Sequence, residues 1–230
     1  MNRTKTVVAA LAALVMAAAF TGCGTPSYLK IEKRSDGGKE VTVKDGKEDK
    51  VPAKVVIPKG VTRIGSGAFE GCTSLASVTI PGSVKEIGDG AFSGCTSLAS
   101  VTIPGSVETI GGGAFKGCTS LAGVTIPGSV KKIGVVAFYG CTSLAGVTIP
   151  DGVQEIGRGA FSGCTSLASV TIPGSVKQIR GYAFYGCTSL KEVRYENTIE
   201  RFKAIATFGR SSSFAKGVVI HCTDGDGVIR

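Results

Sequence analysis

The order of apolar and polar residues repeats every 23 positions through the middle of this 230-residue chain. In the first copy the apolar positions are Ile64, Ala68, Phe69, Cys72, Leu75, Val78, Ile80 and Val84. Six cysteines mark the same point of successive copies: Cys72, Cys95, Cys118, Cys141, Cys164 and Cys187. A fixed period of this length is typical of stacked-repeat proteins, in which neighbouring units bury one another's apolar residues. Residues 64–194 are therefore predicted to form a solenoid of six repeats.

Each copy contains one segment with the character of a strand. Over residues 77–80 polar and apolar residues alternate and β-branched types dominate, which favours a short strand with Val78 and Ile80 facing the core. Pro81 and the nearby glycines predict turns between such segments. The run 68–72 lacks the alternation and is too short for an independent helix, so we expect one helical or 3₁₀ turn on the opposite wall.

The repeat residues resemble a known family. The spacing Leu75-x-x-Val-x-Ile matches the leucine-rich repeat core, and the elements Ile-Pro-x-x-Val and Ile-Gly-x-x-Ala-Phe-x-x-Cys are similar to its treponemal, or BspA-like, subtype. The resemblance covers residues 55–194, while residues 195–205 and 219–225 resemble the closing segments of that family. It implies a leucine-rich repeat solenoid, α/β to mainly β, with a parallel sheet on the concave face. It also implies a bacterial surface or secreted protein that binds host or bacterial partners.

The start of the chain has the pattern of an export signal. Residues 1–22 combine a basic beginning with an apolar run over 7–20, which is shorter than the roughly 20 residues of a membrane-spanning helix. The small residues before Cys23 resemble the bacterial lipobox, which implies a lipid such as palmitate on Cys23 and a tether over 23–27. An ordinary signal peptide with an incidental cysteine and an uncleaved anchor are the alternatives. We expect a protein lipid-anchored to a bacterial membrane, at the outer membrane or the cell surface.

Two capping regions are predicted beside the repeats. Residues 28–63 contain alternating segments around an Asp-Gly-Gly turn, followed at 54–58 by a segment that matches the strand position of the repeats. Residues 195–230 follow the last repeat. Solenoids need polar ends that prevent edge-to-edge growth, so we interpret these regions as the N-terminal and C-terminal caps.

The charge of the chain excludes one class of partner. The formal net charge is +9, but the basic residues are scattered and form no stripe with interleaved aromatic residues. Nucleic acid is therefore not an expected partner. Weak attraction to anionic lipids or glycans fits the balance.

The repeated cysteines have three interpretations. Each lies between an aromatic residue and a leucine of the core pattern, where a thiol acts as a small apolar side chain. Disulfides between adjacent repeats would need a closer approach of Cβ atoms than parallel stacked side chains provide. Metal binding is disfavoured because no CxxC pair is present.

Residues suited to catalysis are scarce. His221 is the only histidine, and on a strand it would point to the face opposite Cys222. The repeated glycines miss the GxGxxG spacing of a nucleotide-binding loop. We expect no enzyme, no cofactor and no metal site.

Two sets of outward residues are candidates for binding. One is the column that the sheet would display: Thr79, Thr102, Thr125, Thr148 and Thr171. Such a ladder also stabilises strands through cross-strand contacts. The other set departs from the repeat consensus and has residue types enriched at binding hot spots: Tyr139, Arg180, Tyr182 and Tyr185. We hypothesise that these four residues form one anchor patch, with drift between repeats or capping of the solenoid end as the alternatives.

These observations predict a membrane-anchored module for protein binding or adhesion at the bacterial cell envelope. A host extracellular matrix protein or another bacterial surface protein is the expected partner, with the membrane engaged through Cys23. The alternative is a structural lipoprotein that faces the periplasm and has no host partner.

Overall fold

Two long β-sheets form two walls of a solenoid, and each repeat contributes one short strand to each sheet. The computed structural model describes residues 25–207 and 212–229. Within that part of the chain, the first sheet contains β1 (Leu29–Lys33), β2 (Lys39–Val43), β4 (Arg63–Ile64), β6 (Glu86–Ile87), β8 (Thr109–Ile110), β10 (Lys132–Ile133), β12 (Glu155–Ile156) and β14 (Gln178–Ile179). The second contains β3 (Lys54–Val56), β5 (Ser77–Thr79), β7 (Ser100–Thr102), β9 (Gly123–Thr125), β11 (Gly146–Thr148), β13 (Ser169–Ile172), β15 (Glu192–Tyr195), β16 (Val219–Cys222) and β17 (Gly225–Val228).

The strands of successive repeats pair in parallel and in register. Val78 pairs with Val101 in the second sheet, and Ile64 pairs with Ile87 in the first. Each partner lies 23 residues further along the chain, so equivalent side chains stack above one another. The predicted leucine-rich repeat solenoid with a parallel sheet is confirmed. The hairpin strands β1 and β2 of the first sheet match the alternating segments predicted around the Asp-Gly-Gly turn. The other strands of this sheet were not predicted, because strands of two residues are too short to show an alternating pattern.

A third wall, called here the turn wall, consists of residues 65–71 and their equivalents in the other repeats. The amide of Phe69 donates to the carbonyl of Ala91 in the next repeat (2.7 Å), whereas the amides of Ala68 and Cys72 donate three residues back within their own repeat. Alternate amides thus donate hydrogen bonds to the next repeat, which prevents a helix from propagating. The expected helical or 3₁₀ turn is instead a series of tight turns.

The core between the walls is built from ladders of identical side chains. Phenylalanine rings of adjacent repeats stack with centroids 5.2–5.3 Å apart. Beside them, each cysteine thiol from the second repeat onward donates to the phenylalanine carbonyl of the preceding repeat, as Cys95 does to Phe69 at 3.0 Å. Every described cysteine is a free thiol, and the six in the repeats are buried. The structure therefore favours their interpretation as core residues.

Burial also makes these thiols poor nucleophiles. It raises the pKa of Cys72 to about 11 and that of Cys118 to about 12, because the interior disfavours the thiolate. Reactive cysteines need a lowered pKa and access to solvent, and the cysteine ladder has neither.

Hairpins and a short helix close the two ends of the described solenoid. The antiparallel hairpin β1–β2 lies against β4 at the N-terminal end, and the antiparallel pair β16–β17 extends the second sheet at the other end. Helix α1 (Ile199–Ile205) is capped by Thr198, whose hydroxyl accepts from the Arg201 amide, and it buries Phe202. No helix in the described residues is both long enough and apolar enough to span a bilayer. Cys23, on which lipid anchoring was predicted, lies outside the described residues.

Candidate functional site

The first candidate surface is the outward face of the second sheet, called here the threonine face. It carries the predicted column of Thr79, Thr102, Thr125, Thr148 and Thr171, of which the first four are exposed and the last is half-buried. Thr102 pairs with Thr125, and Thr148 with Thr171. A depression of about 600 Å³ lies over the strands from β7 to β13 and is lined mainly by threonine, serine and glycine. The surface is low in relief, polar and uncharged.

Charged side chains bound the threonine face at its C-terminal end. Strand pairing places Arg194 beside Thr171 and His221 beside Arg194. The Nδ1 atom of His221 lies 2.9 Å from an Asp226 carboxylate oxygen, and its Nε2 atom lies 3.9 Å from Glu192. The histidine thus belongs to a polar cluster of the C-terminal cap. No group of three or more potential metal ligands occurs within the described residues.

The second candidate surface is a depression of about 340 Å³ on the turn wall, called here the aromatic notch. It is lined by Val135, Val136, Tyr139, Arg158, Gly159, Ser162, Tyr182 and Tyr185. These residues come from the fourth, fifth and sixth repeats. Three of the four residues predicted as an anchor patch, the tyrosines, are brought together here.

The walls of the aromatic notch are two exposed tyrosines. Tyr139 and Tyr185 are 44% and 62% exposed, and they occupy the same position of repeats four and six. The fifth repeat has the buried Ser162 at that position, which leaves a gap between the two rings. The ring of Tyr182 packs edge-to-face on Tyr185 with centroids 5.7 Å apart. The guanidinium carbon of Arg158 lies 5.5 Å from the Tyr182 ring centroid.

Two residues of the notch have an unusual backbone conformation. Val136 (φ 49°) and Tyr182 (φ 63°) are in the left-handed region, and they are the only non-glycine residues with positive φ in the described chain. The other four repeats have glycine at this position: Gly67, Gly90, Gly113 and Gly159. A side chain there costs roughly 1–2 kcal/mol per residue, and a β-branched side chain is particularly rare. The aromatic notch therefore contains strain that the glycine repeats avoid.

Arg180 does not join the tyrosines. Its Nε atom lies 3.1 Å from a carboxylate oxygen of Glu155, which also pairs with Lys132 at 3.1 Å. These three side chains belong to the edge between the first sheet and the turn wall. The arginine that lines the notch is Arg158, which the sequence analysis missed. Arginine occurs at that position of the turn wall in this repeat alone. This departure from the other five repeats is the sequence signal that points to Arg158.

Comparison with known proteins identifies the repeats. The profile of the BspA type leucine rich repeat region matches six copies over residues 51–135 and 113–215. The crystal structure of a leucine-rich repeat protein from T. pallidum is 39% identical, with a TM-score of 0.68 over 74% of this chain and 80% of that one. A leucine-rich repeat protein from Bacteroides ovatus is 28% identical, with a TM-score of 0.59 over 76% of this chain and 56% of that one. A comparison with curated proteins found no match.

A pneumococcal protein shares the fold at greater distance. The vaccine antigen PcpA is 22% identical, with a TM-score of 0.54 over 82% of this chain. The match covers 41% of that antigen, so this chain spans well under half of its length.

Proposed function

Because this chain belongs to the BspA-type leucine-rich repeat family, we propose that it is a membrane-anchored protein-binding module that acts in adhesion at the bacterial cell envelope. The solenoid supports a role in protein interaction because its apolar residues pack between repeats, which leaves rigid outward surfaces for a partner. A host extracellular matrix protein or another bacterial surface protein is the proposed partner.

One observation carries the binding role. Five large apolar side chains are exposed within the described residues, and three of them, Val135, Tyr139 and Tyr185, line the aromatic notch. Exposed apolar side chains scattered singly are ordinary, whereas their concentration at one place marks an interaction site. Tyrosine and arginine are also the residue types most enriched at binding hot spots. The aromatic notch contains both.

Anchoring is proposed to occur through a lipid on Cys23. Two or three acyl chains hold a protein firmly at a membrane, since each buried methylene contributes about 0.8 kcal/mol. Cells that express the full chain should incorporate a palmitate analogue into the wild type and not into Cys23→Ala. Absence of label from the wild type, or equal label in the variant, would contradict lipid anchoring.

Adhesion requires that the repeats face outward from the cell. Protease added to intact cells should remove the protein, and the purified full chain should bind immobilised matrix proteins or surface proteins of other bacteria. Full protection of the protein in intact cells, with digestion only after lysis, would instead support a scaffold that faces the periplasm. If the purified chain binds none of the immobilised matrix proteins and none of the bacterial surface proteins, the adhesion role is refuted.

A further inference from the structure

We infer that the aromatic notch binds an acidic peptide segment of the partner, with one apolar side chain between Tyr139 and Tyr185 and a neighbouring carboxylate on Arg158. The inference rests on the proposed protein-binding function and specifies the chemistry of the partner. It places the specific contacts on the turn wall, whereas the threonine face supplies an uncharged surface of short side chains.

The dimensions of the notch suit one side chain of an extended segment. Repeats four and six are separated by two steps of the phenylalanine ladder, each 5.2–5.3 Å. Tyr139 and Tyr185 therefore lie two repeats apart, which matches roughly three residues of an extended chain at about 3.3 Å per residue. The gap over Ser162 between them is about one side chain wide. Gly159, which also lines the notch, leaves little room for a side chain, since an added Cβ would lie 3.2 Å from a methyl carbon of Val136.

The residues at the base of the aromatic notch are the two with a strained backbone. Val136 and Tyr182 both line the notch from left-handed positions, one repeat on either side of Gly159. Backbone strain of this kind is concentrated at binding and active sites, where the surrounding structure holds it in place. Here the position of strain and the position of exposed aromatic residues coincide.

The charge of the turn wall specifies an acidic partner. In the first two repeats the wall carries Glu70 and Asp89 and no basic residue, whereas in the last four it carries Lys116, Arg158 and Arg180 and no acidic residue. Arg180 is paired with Glu155, but Arg158 and Lys116 form no ion pair with any residue in the described ranges. The end of the wall that contains the notch is thus positive and open to a negatively charged segment.

Arg158 is suited to bind a carboxylate. Its guanidinium lies over the face of Tyr182, a contact that leaves the edge of the planar group able to donate two parallel hydrogen bonds. A lysine would keep the charge and lose this paired geometry. The side chains of the notch thus offer an apolar gap and, beside it, a donor for an anion.

The experiment is a selection of random 12-residue peptides displayed on phage against the purified full chain. Peptides enriched on the wild type should carry an apolar or aromatic residue flanked by Asp or Glu. Their synthetic, fluorescein-labelled forms should then be titrated by fluorescence anisotropy against variants of the chain. Apart from Arg158→Lys, the new residue of each variant occurs at the same position of another repeat. The triple variant Tyr139→Ser, Tyr182→Gly and Tyr185→Ser removes the aromatic side chains.

Two single variants separate the apolar contribution from the charge. Ser162→Tyr fills the gap with the residue that repeats four and six already have there, and Arg158→Asp introduces the residue of the second repeat. Each should weaken binding at least tenfold, and Arg158→Lys should weaken it several-fold. Ser93→Tyr makes the same change as Ser162→Tyr at the equivalent position of the second repeat, so it is the matched control and should change affinity less than twofold.

The inference is overturned if no peptide is enriched, if enriched peptides lack acidic residues, or if the triple variant binds them as the wild type does. Loss of peptide binding in the three notch variants with retention in Ser93→Tyr supports it. The proposed function is judged separately, by whether the wild-type chain binds matrix or surface proteins at all. Binding of these proteins that persists in every notch variant would preserve the adhesion role and refute the notch as its site.

Discussion

The left-handed conformation of Val136 and Tyr182 leads to a test in which the usual order of two substitutions is reversed. At ordinary positions alanine is more stable than glycine by about 0.4–1 kcal/mol, because glycine has more conformational freedom to lose on folding. In the left-handed region alanine pays roughly 1–2 kcal/mol that glycine does not. At positions 136 and 182 we therefore expect the glycine variant to be more stable than the alanine variant by about 1 kcal/mol.

The glycine and alanine variants at one position both lack the contacts of the original side chain. Their difference in free energy of unfolding therefore reports the backbone conformation. Tyr139 and Tyr185 lie on the same wall outside the left-handed region, so they are matched controls at which alanine should be the more stable. The chain has no tryptophan, so urea denaturation should be followed by far-UV circular dichroism. A difference of 1 kcal/mol corresponds to about 2–4 °C in Tm for a domain of this size. Alanine variants as stable as the glycine variants at both 136 and 182 would refute the strain and its use in the notch.

Three further predictions concern the core and the corners. Phe115→Ala should lower the free energy of unfolding by about 3–5 kcal/mol, because the ring is buried between neighbours at 5.3 and 5.2 Å; a loss below 1 kcal/mol in urea denaturation would contradict the stacked core. The buried thiols have a pKa raised above the ordinary value of 9.0, to about 11 for Cys72 and about 12 for Cys118. The unfolded chain therefore loses these protons first, so stability should be unaffected by them below pH 9 and fall from pH 9 toward 11 by up to about 1.4 kcal/mol per pH unit for each thiol. Cys118→Ala should make this slope shallower, and an unchanged slope would argue against the raised pKa. Gly152→Ser restores the consensus residue yet should destabilise by about 1–3 kcal/mol, because a Cβ on Gly152 would overlap the Gly128 carbonyl oxygen; a more stable variant in thermal denaturation would contradict this backbone geometry.

The stacking order of the core could be predicted from the sequence, because a constant 23-residue period allows one alignment of identical positions. The backbone conformation of the first sheet and of the turn wall could not be predicted. Strands of two residues such as Arg63–Ile64 show no alternation, and the turn around Phe69 depends on hydrogen bonds to a repeat 23 residues away. A local pattern contains neither kind of information.

The candidate site shows the same division. Departure from consensus grouped Tyr139, Tyr182 and Tyr185, and these residues line one depression because equivalent positions stack in a solenoid of constant register. Departure from consensus and residue type also grouped Arg180 with them, whereas Arg180 pairs with Glu155 on the first sheet, because successive side chains leave the corner in different directions. Contacts between side chains in a repeat protein are therefore better predicted from equivalent positions of successive repeats than from neighbouring positions within one repeat.

The strained positions also bear on whether the departures in repeats four and six are drift. An outward position such as Lys116 can change without disturbing the core, so its identity alone supports neither interpretation. Val136 and Tyr182 differ, because glycine at the same position of four other repeats avoids roughly 1–2 kcal/mol of backbone strain. Two independent drift events would have to occur at a position whose left-handed backbone favours glycine, and both would have to fall beside the exposed tyrosines. A binding surface accounts for the two costs together, because the strain places the side chains that form the base of the aromatic notch.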